Sequence, residues 1–73
     1  MDARLFGRRL KAVRQAAGFE DPDTFASLLN VEPTRYRTLE DGVFLSDDLN
    51  LMEDICRLTG RSLDFLVRGR EAT

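Results

Sequence analysis

Hydrophobic and polar residues follow one another along this chain at helical spacing, and the pattern predicts an all-α fold of five helices. In the first helix, apolar residues fall at i, i+4, i+7 and i+11, and Gly18 would end the helix after a span from about Ala3 to Ala17. This stripe consists of Phe6, Leu10, Val13 and Ala17. Nowhere does the chain show the two-residue alternation that is typical of a strand.

A second, shorter helix has a clear start signal. Asp21 can accept hydrogen bonds from free backbone N–H groups, and Pro22 suits the first helical position because it needs no N–H there. Phe25, Leu28 and Leu29 would share one apolar face, with the small Ala26 beside it. Asn30 is expected to end the helix, since Asn tolerates the left-handed backbone conformation.

The third helix follows at once. Glu32 is its expected N-cap and Pro33 its first residue, while Val31 and Tyr36 occupy the positions of a hydrophobic staple. Tyr36 and Leu39 would point inward. The outward positions are Thr34, Thr38 and Asp41, flanked by Arg35 and Arg37, and Gly42 supplies the exit turn.

The last two helices carry apolar stripes of their own. Helix four would begin at Ser46 or Asp48 and end at Gly60, and Ser62 would cap a final helix through Arg68. The buried face of helix four is expected to be Leu49, Met52, Ile55 and Cys56. Leu63, Phe65, Leu66 and Val67 of the final helix are available for the core or for a partner. The preceding Val43-Phe44-Leu45 could be a packed loop or an exposed apolar patch.

Helices two and three, joined by a tight turn at Asn30, have the order of a helix-turn-helix. In that arrangement the second helix can present its outer face to a DNA groove. Spacing alone leaves a second interpretation open, because a pair of packed helices in a small bundle has the same pattern.

Length and composition predict one folded domain, residues 1–69, with a frayed tail at 70–73. The chain has 73 residues and is 42% hydrophobic. A core of this size is marginal, so dimerisation would stabilise it. The longest apolar runs contain three residues, far short of a membrane span, and no N-terminal signal is visible. We therefore expect a cytoplasmic protein.

The side-chain inventory argues against an enzyme. The chain has no histidine, and it lacks paired carboxylates, a Gly-rich phosphate loop and a metal-ligand cluster. No cofactor or metal is therefore expected. Cys56, the single cysteine, lies on an apolar stripe and is interpreted as a core residue without an internal disulfide.

Charge is distributed unevenly. The net charge of −2 does not favour DNA binding, but residues 1–19 carry +4, from five basic residues against Asp2. Residues 20–32 and 42–54 each carry four acidic residues and no basic one. A basic stripe would have to be assembled from helix one, helix three and the C-terminal end.

Laid out together, these segments resemble the Cro and phage-repressor type of helix-turn-helix domain, the XRE-like family, over about residues 5–69. The resemblance lies in four pieces: Arg9-Leu10-Lys11-Ala12-Val13-Arg14 with Ala17-Gly18-Phe19, then Phe25 to Val31, then Tyr36-x-x-Leu39-Glu40-x-Gly42, and Leu63-Asp64-Phe65-Leu66 after Gly60.

The resemblance implies a compact repressor-like fold and assigns roles to particular residues. It implies that Arg14 pairs with Glu40 in a structural ion pair that fixes the third helix. It also implies DNA-reading positions at Pro33, Thr34, Arg37 and Thr38, with Arg35 nearby. The chain departs from the family in its acidic Glu20-Asp21-Pro22-Asp23 and in Val43-Phe44-Leu45-Ser46-Asp47-Asp48, both of which weaken the expected contacts to phosphate.

Two functional hypotheses follow. The first is a sequence-specific DNA-binding transcriptional regulator that acts as a homodimer on double-stranded DNA, with Leu63, Leu66 and Val67 as candidates for the dimer surface. The second is a protein-interaction module, such as a co-regulator, antitoxin or anti-repressor component, which would bind a protein partner through Val43, Phe44 and Leu45.

Overall fold

The computed structural model describes residues 3–43 and 49–69 of the chain. Within these residues it has five α-helices and no strand. The predicted all-α fold is confirmed. The helices are α1 (Ala3–Ala16), α2 (Pro22–Leu28), α3 (Pro33–Glu40), α4 (Leu49–Thr59) and α5 (Leu63–Arg68). Ser46, Asp48, Phe44, Leu45 and the expected tail at 70–73 lie outside the described residues, as do residues 1 and 2.

The helix ends follow local chemistry. Asp21 caps α2 by accepting from the backbone N–H of Asp23, and the Ser62 hydroxyl accepts from the N–H of Phe65 at the start of α5. Asn30 adopts a left-handed φ of 59°, as its position after α2 predicted. Glu32 is the N-cap of α3, but its side chain makes no capping hydrogen bond.

Helix α1 organises the core, because it packs against α3, α4 and α5, while α2 packs against α3. Among the residues whose side chains the structure describes, eleven hydrophobic ones are buried between these helices: Phe6, Leu10, Val13, Phe25, Ala26, Leu29, Tyr36, Leu39, Met52, Ile55 and Leu66. The radius of gyration is 11.0 Å, the value expected for a compact chain of this length. The ring of Phe25 lies between Phe19 and Tyr36, with centroids 5.0 and 5.4 Å away.

Two predicted apolar faces were partly wrong. Leu28 is exposed, because the buried face of α2 is centred on Phe25, Ala26 and Leu29 and Leu28 lies roughly 100° around the helix from that centre. Ala17 is also exposed, since α1 ends at Ala16 and the chain turns away at Gly18, where φ is 95°. Cys56 is half-buried against the core, and burial raises the pKa of its thiol.

Among the described residues, no helix is both long and apolar enough to cross a bilayer. The same residues contain no group of three or more acidic, cysteine or histidine side chains arranged to hold a metal ion.

Candidate nucleic-acid interface on helix α3

The inner side of α3 is anchored to α1 by the pair that the resemblance implied. Arg14 Nε lies 2.7 Å from Glu40 Oε2, and Arg14 Nη2 lies 3.3 Å from Glu40 Oε1. Arg14 is 2% exposed and Glu40 12%, so solvent screens the pair only weakly. The hydrogen bond to Glu40 raises the pKa of Arg14. This two-pronged contact fixes the C-terminal end of α3 against the second half of α1.

The same guanidinium also holds the connection between α1 and α2. Arg14 Nη1 donates to the carbonyl oxygens of Phe19 at 2.6 Å and Glu20 at 2.7 Å. One buried cation therefore joins α1, the segment before α2, and α3. Because all three polar nitrogens have acceptors, the charge is compensated in a site that excludes water.

Tyr36 completes this network. Its hydroxyl donates to Glu40 Oε2 at 2.5 Å, and its ring is fully buried. The sequence predicted an inward-pointing Tyr36 but gave no indication that its hydroxyl would meet Glu40. Residues 36 and 40 are one turn apart on the same helix, and this spacing is the signal that could have suggested the contact.

Gly7 allows α1 to approach the end of α3, and the sequence interpretation missed it. A Cβ at this position would overlap the carbonyl oxygen of Glu40 and lie 3.0 Å from the backbone N of Gly42. A glycine inside an otherwise helical stripe is the available signal for such a close approach. Gly7 and Arg14 are seven residues apart, so both face α3.

On the outer side of α3, the described residues leave Pro33, Thr34 and Arg37 exposed. Thr34 and Arg37 are three residues apart and therefore adjacent on the helix surface. Asp41, just after the helix, is exposed as well. Three of the five predicted DNA-reading residues thus lie on one open surface.

The other two, Arg35 and Thr38, are half-buried and bound to each other. Thr38 Oγ1 donates to the carbonyl oxygen of Arg35 at 2.6 Å and accepts from Arg35 Nη1 at 3.3 Å. Arg35 also lines a groove with Asn30, Asn50 and Asp54, on the side of α3 that faces the start of α4. Arg35 is therefore less exposed on the surface of α3 than Thr34 and Arg37 are.

Arg37 is not open to solvent on all sides, because it is paired with Asp23 of α2. Arg37 Nη2 lies 2.5 Å from Asp23 Oδ1 and 2.6 Å from Asp23 Oδ2. Both side chains are about half exposed, at 55% for Arg37 and 43% for Asp23. An ion pair this exposed contributes about 1 kcal/mol or less to stability. The sequence predicted acidic repulsion at the start of α2 but not this direct contact across the two helices.

Asp21, two residues earlier, has a different role. Its Oδ1 accepts from the backbone N–H of Asp23 at 3.1 Å, and its Oδ2 accepts from the hydroxyl of Thr24 at 3.0 Å. These hydrogen bonds lower the pKa of the Asp21 carboxyl, and the one from the backbone N–H of Asp23 has the largest effect. Its carboxylate therefore caps α2.

The basic residues of α1 divide into two groups. Arg9 is half-buried and donates from Nη1 to the carbonyl oxygens of Val67 at 3.0 Å and Leu66 at 3.3 Å, so it caps the C-terminal end of α5. Arg4, Arg8 and Lys11 are exposed. Arg9 is thus removed from the basic stripe that the sequence suggested.

The residues that the sequence suggested for partner surfaces differ in how far they are buried. Leu66 is fully buried in the core, which corrects its assignment to a dimer surface, because α5 turns this residue toward α1. Leu63 is 37% exposed and Val67 half-buried, and both border a shallow groove with Asp64 and Arg68. Val43 is 51% exposed, whereas Phe44 and Leu45 lie outside the described residues.

Comparison with known proteins adds no relative. No family model, no curated protein and no solved structure matches this chain.

Proposed function

We propose that this chain is a sequence-specific DNA-binding transcriptional regulator in which α3 enters the major groove. One observation carries the proposal: the described residues leave the outer side of α3 open at Thr34 and Arg37, while Arg14 and Glu40 fix its inner side. A helix held this firmly can present side chains to base edges at defined positions. An α-helix with its side chains is about 10–12 Å in diameter, which fits the major groove of about 12 Å width.

Each predicted DNA-reading residue of α3 has a distinct role in this proposal. The Thr34 hydroxyl and methyl suit a base edge and a thymine methyl, respectively. Arg37 reaches a backbone phosphate or a guanine, and Pro33 packs at the groove wall. Thr38 retains acceptor capacity for a base, whereas Arg35 orients Thr38 through their mutual hydrogen bonds.

A homodimer would place two copies of α3 about one helical turn apart on a two-fold symmetric site. Leu63 and Val67 of α5 are the remaining candidates for its interface, since Leu66 is part of the core. Occupying such a site would block or recruit polymerase.

The test is a selection of bound sequences from a random duplex pool, followed by titration of the enriched duplex at several salt concentrations. We expect an enriched palindrome and an affinity that falls steeply as salt rises. Thr34→Ala should weaken binding to the enriched duplex roughly tenfold, as expected for the loss of one base contact. Thr34→Ala should change the free energy of unfolding only slightly, because Thr34 is exposed.

A matched pair of arginine variants provides the control. Arg37→Ala and Arg57→Ala remove the same charge, and both arginines are exposed and paired with an aspartate. Only Arg37→Ala should weaken duplex binding, because Arg57 lies on α4. Equal effects of the two variants, or no enrichment and no duplex binding at low salt, would refute the proposal.

A second function is favoured by one specific observation, the neutralisation of Arg37 by Asp23 on the surface that would meet DNA. On this proposal the chain is a protein-interaction module, and the exposed Val43 contributes to its docking surface. A docking module should show no duplex binding even at low salt, and this outcome separates the two functions.

A further inference from the structure

The contact between Asp23 and Arg37 is a charge-assisted contact between an arginine and an anionic group, the kind of contact that an arginine also makes to phosphate. Both carboxylate oxygens lie within 2.6 Å of the same guanidinium nitrogen, Nη2. A carboxylate and a DNA phosphate each offer two anionic oxygens to an arginine, so they are direct competitors for it. Arg37 lies on the exposed surface of α3, where a backbone phosphate would have to reach it.

Building on the proposed DNA-binding function, we infer that Asp23 is an intramolecular competitor of DNA phosphate. In the free protein it holds Arg37, and duplex binding exchanges the Asp23 carboxylate for a phosphate oxygen. Asp23 therefore lowers the sequence-independent part of DNA affinity, which phosphate contacts supply.

Two neighbouring features indicate that Asp23, and not Asp21 or Glu40, has this role. The carboxylate of Asp21 is engaged by the backbone N–H of Asp23 and by the hydroxyl of Thr24. The pair is also exposed on both sides, so a phosphate can displace the carboxylate without unpacking α2 from α3. Arg14 and Glu40, by contrast, are buried and cannot exchange partners in this way.

The test uses the full chain and a labelled duplex of random sequence, titrated between 50 and 200 mM salt, the range in which phosphate contacts change affinity strongly. Asp23→Asn should bind this duplex about threefold to fivefold more tightly than wild type at 0.1 M salt, because the exposed ion pair, which stabilises the chain only weakly, no longer has to be broken. The slope of log K against log salt should stay close to that of wild type, because Arg37 contacts one phosphate in both complexes and the variant only removes the competing carboxylate.

Two controls isolate the exchange from a change in net charge. Asp54→Asn removes one acidic charge from a matched exposed pair, that of Asp54 with Arg57 on α4, and should leave affinity within about twofold of wild type. In an Arg37→Ala background, Asp23→Asn should leave the affinity within about twofold of the Arg37→Ala single variant, because no arginine is released. Thermal unfolding of each variant checks that the fold is intact.

Three outcomes would overturn the inference. If wild type binds the duplex and Asp23→Asn binds it no more tightly, the exchange is refuted. A gain in affinity of the full size that persists without Arg37 also refutes it. In both cases the proposed DNA-binding function still stands. Failure of both wild type and Asp23→Asn to bind any duplex at 50 mM salt would refute both together.

Discussion

Gly7 and Glu40 meet backbone to backbone: a Cβ on Gly7 would overlap the Glu40 carbonyl oxygen and lie 2.9 Å from its carbonyl carbon. The contact joins the first half of α1 to the C-terminal end of α3. Together with the Arg14–Glu40 pair it gives α3 two attachments to α1, one through backbone packing and one through charge. The position of the candidate reading helix depends on both.

Gly7→Ala should destabilise the fold by about 2 kcal/mol, because the added methyl group meets backbone atoms that cannot rotate away. The sign of the effect is the decisive measurement in a urea unfolding experiment. In an open helical site the same substitution would stabilise the helix by about 1 kcal/mol. A variant at least as stable as wild type would show that α1 and α3 are not in close contact.

Glu40→Ala should destabilise the fold by ~3 kcal/mol, because it leaves the buried charge of Arg14 without its counter-ion. Urea unfolding followed by circular dichroism measures the loss. Asp54→Ala breaks an exposed ion pair instead and should change stability by less than about 1 kcal/mol. A Glu40→Ala melting temperature within a degree or two of wild type would contradict the burial of this pair.

Tyr36 should remain protonated at alkaline pH for as long as the chain is folded. Burial and the hydrogen bond to Glu40 raise the pKa of Tyr36 above its ordinary value of 10.0. The resulting stability is fully present below pH 10 and is lost as pH rises further, because only the unfolded chain releases the proton easily. Tyr36 is the single tyrosine, so phenolate absorbance reports on it alone.

We therefore expect phenolate to appear together with unfolding, and not before it, in a titration followed by absorbance and circular dichroism. Tyr36→Phe is the control. It should be about 1.5 kcal/mol less stable at pH 7, and this deficit should shrink above pH 10. A reversible phenolate titration centred near pH 10 in the folded chain would contradict the buried contact with Glu40.

Protonation of Asp21 should lower the stability of the folded chain in acid. The backbone N–H of Asp23 and the hydroxyl of Thr24 lower the pKa of Asp21, so its contribution to stability is present above the unfolded value of about 3.9. That contribution is lost as pH falls through the lowered pKa of the folded chain. Asp21→Asn keeps an acceptor for the cap but does not titrate. As pH falls from 5 to 2, the free energy of unfolding should decrease more for wild type than for Asp21→Asn. A constant difference between the two proteins over that range would argue against the cap.

The sequence by itself determined the five helices and most of their ends. Asp21 and Ser62 cap helices, Asn30 adopts a left-handed turn, and Tyr36 and Leu39 are buried. These features depend on neighbours within about four residues, through hydrogen bonds to the backbone and the 3.6-residue period. Residue type and spacing are sufficient to predict such local interactions.

Apart from the Arg14–Glu40 pair, which the family resemblance implied, only the tertiary structure decided which distant groups meet. It placed Leu66 in the core, Leu28 at the surface, Arg9 on the carbonyls of α5 and Asp23 on Arg37. The partners in the last two contacts are 58 and 14 residues apart. A helical period gives the face of a side chain on its own helix, but it does not give the rotation and distance of the neighbouring helix. Those depend on how side chains fill the shared core, including the backbone approach that Gly7 permits.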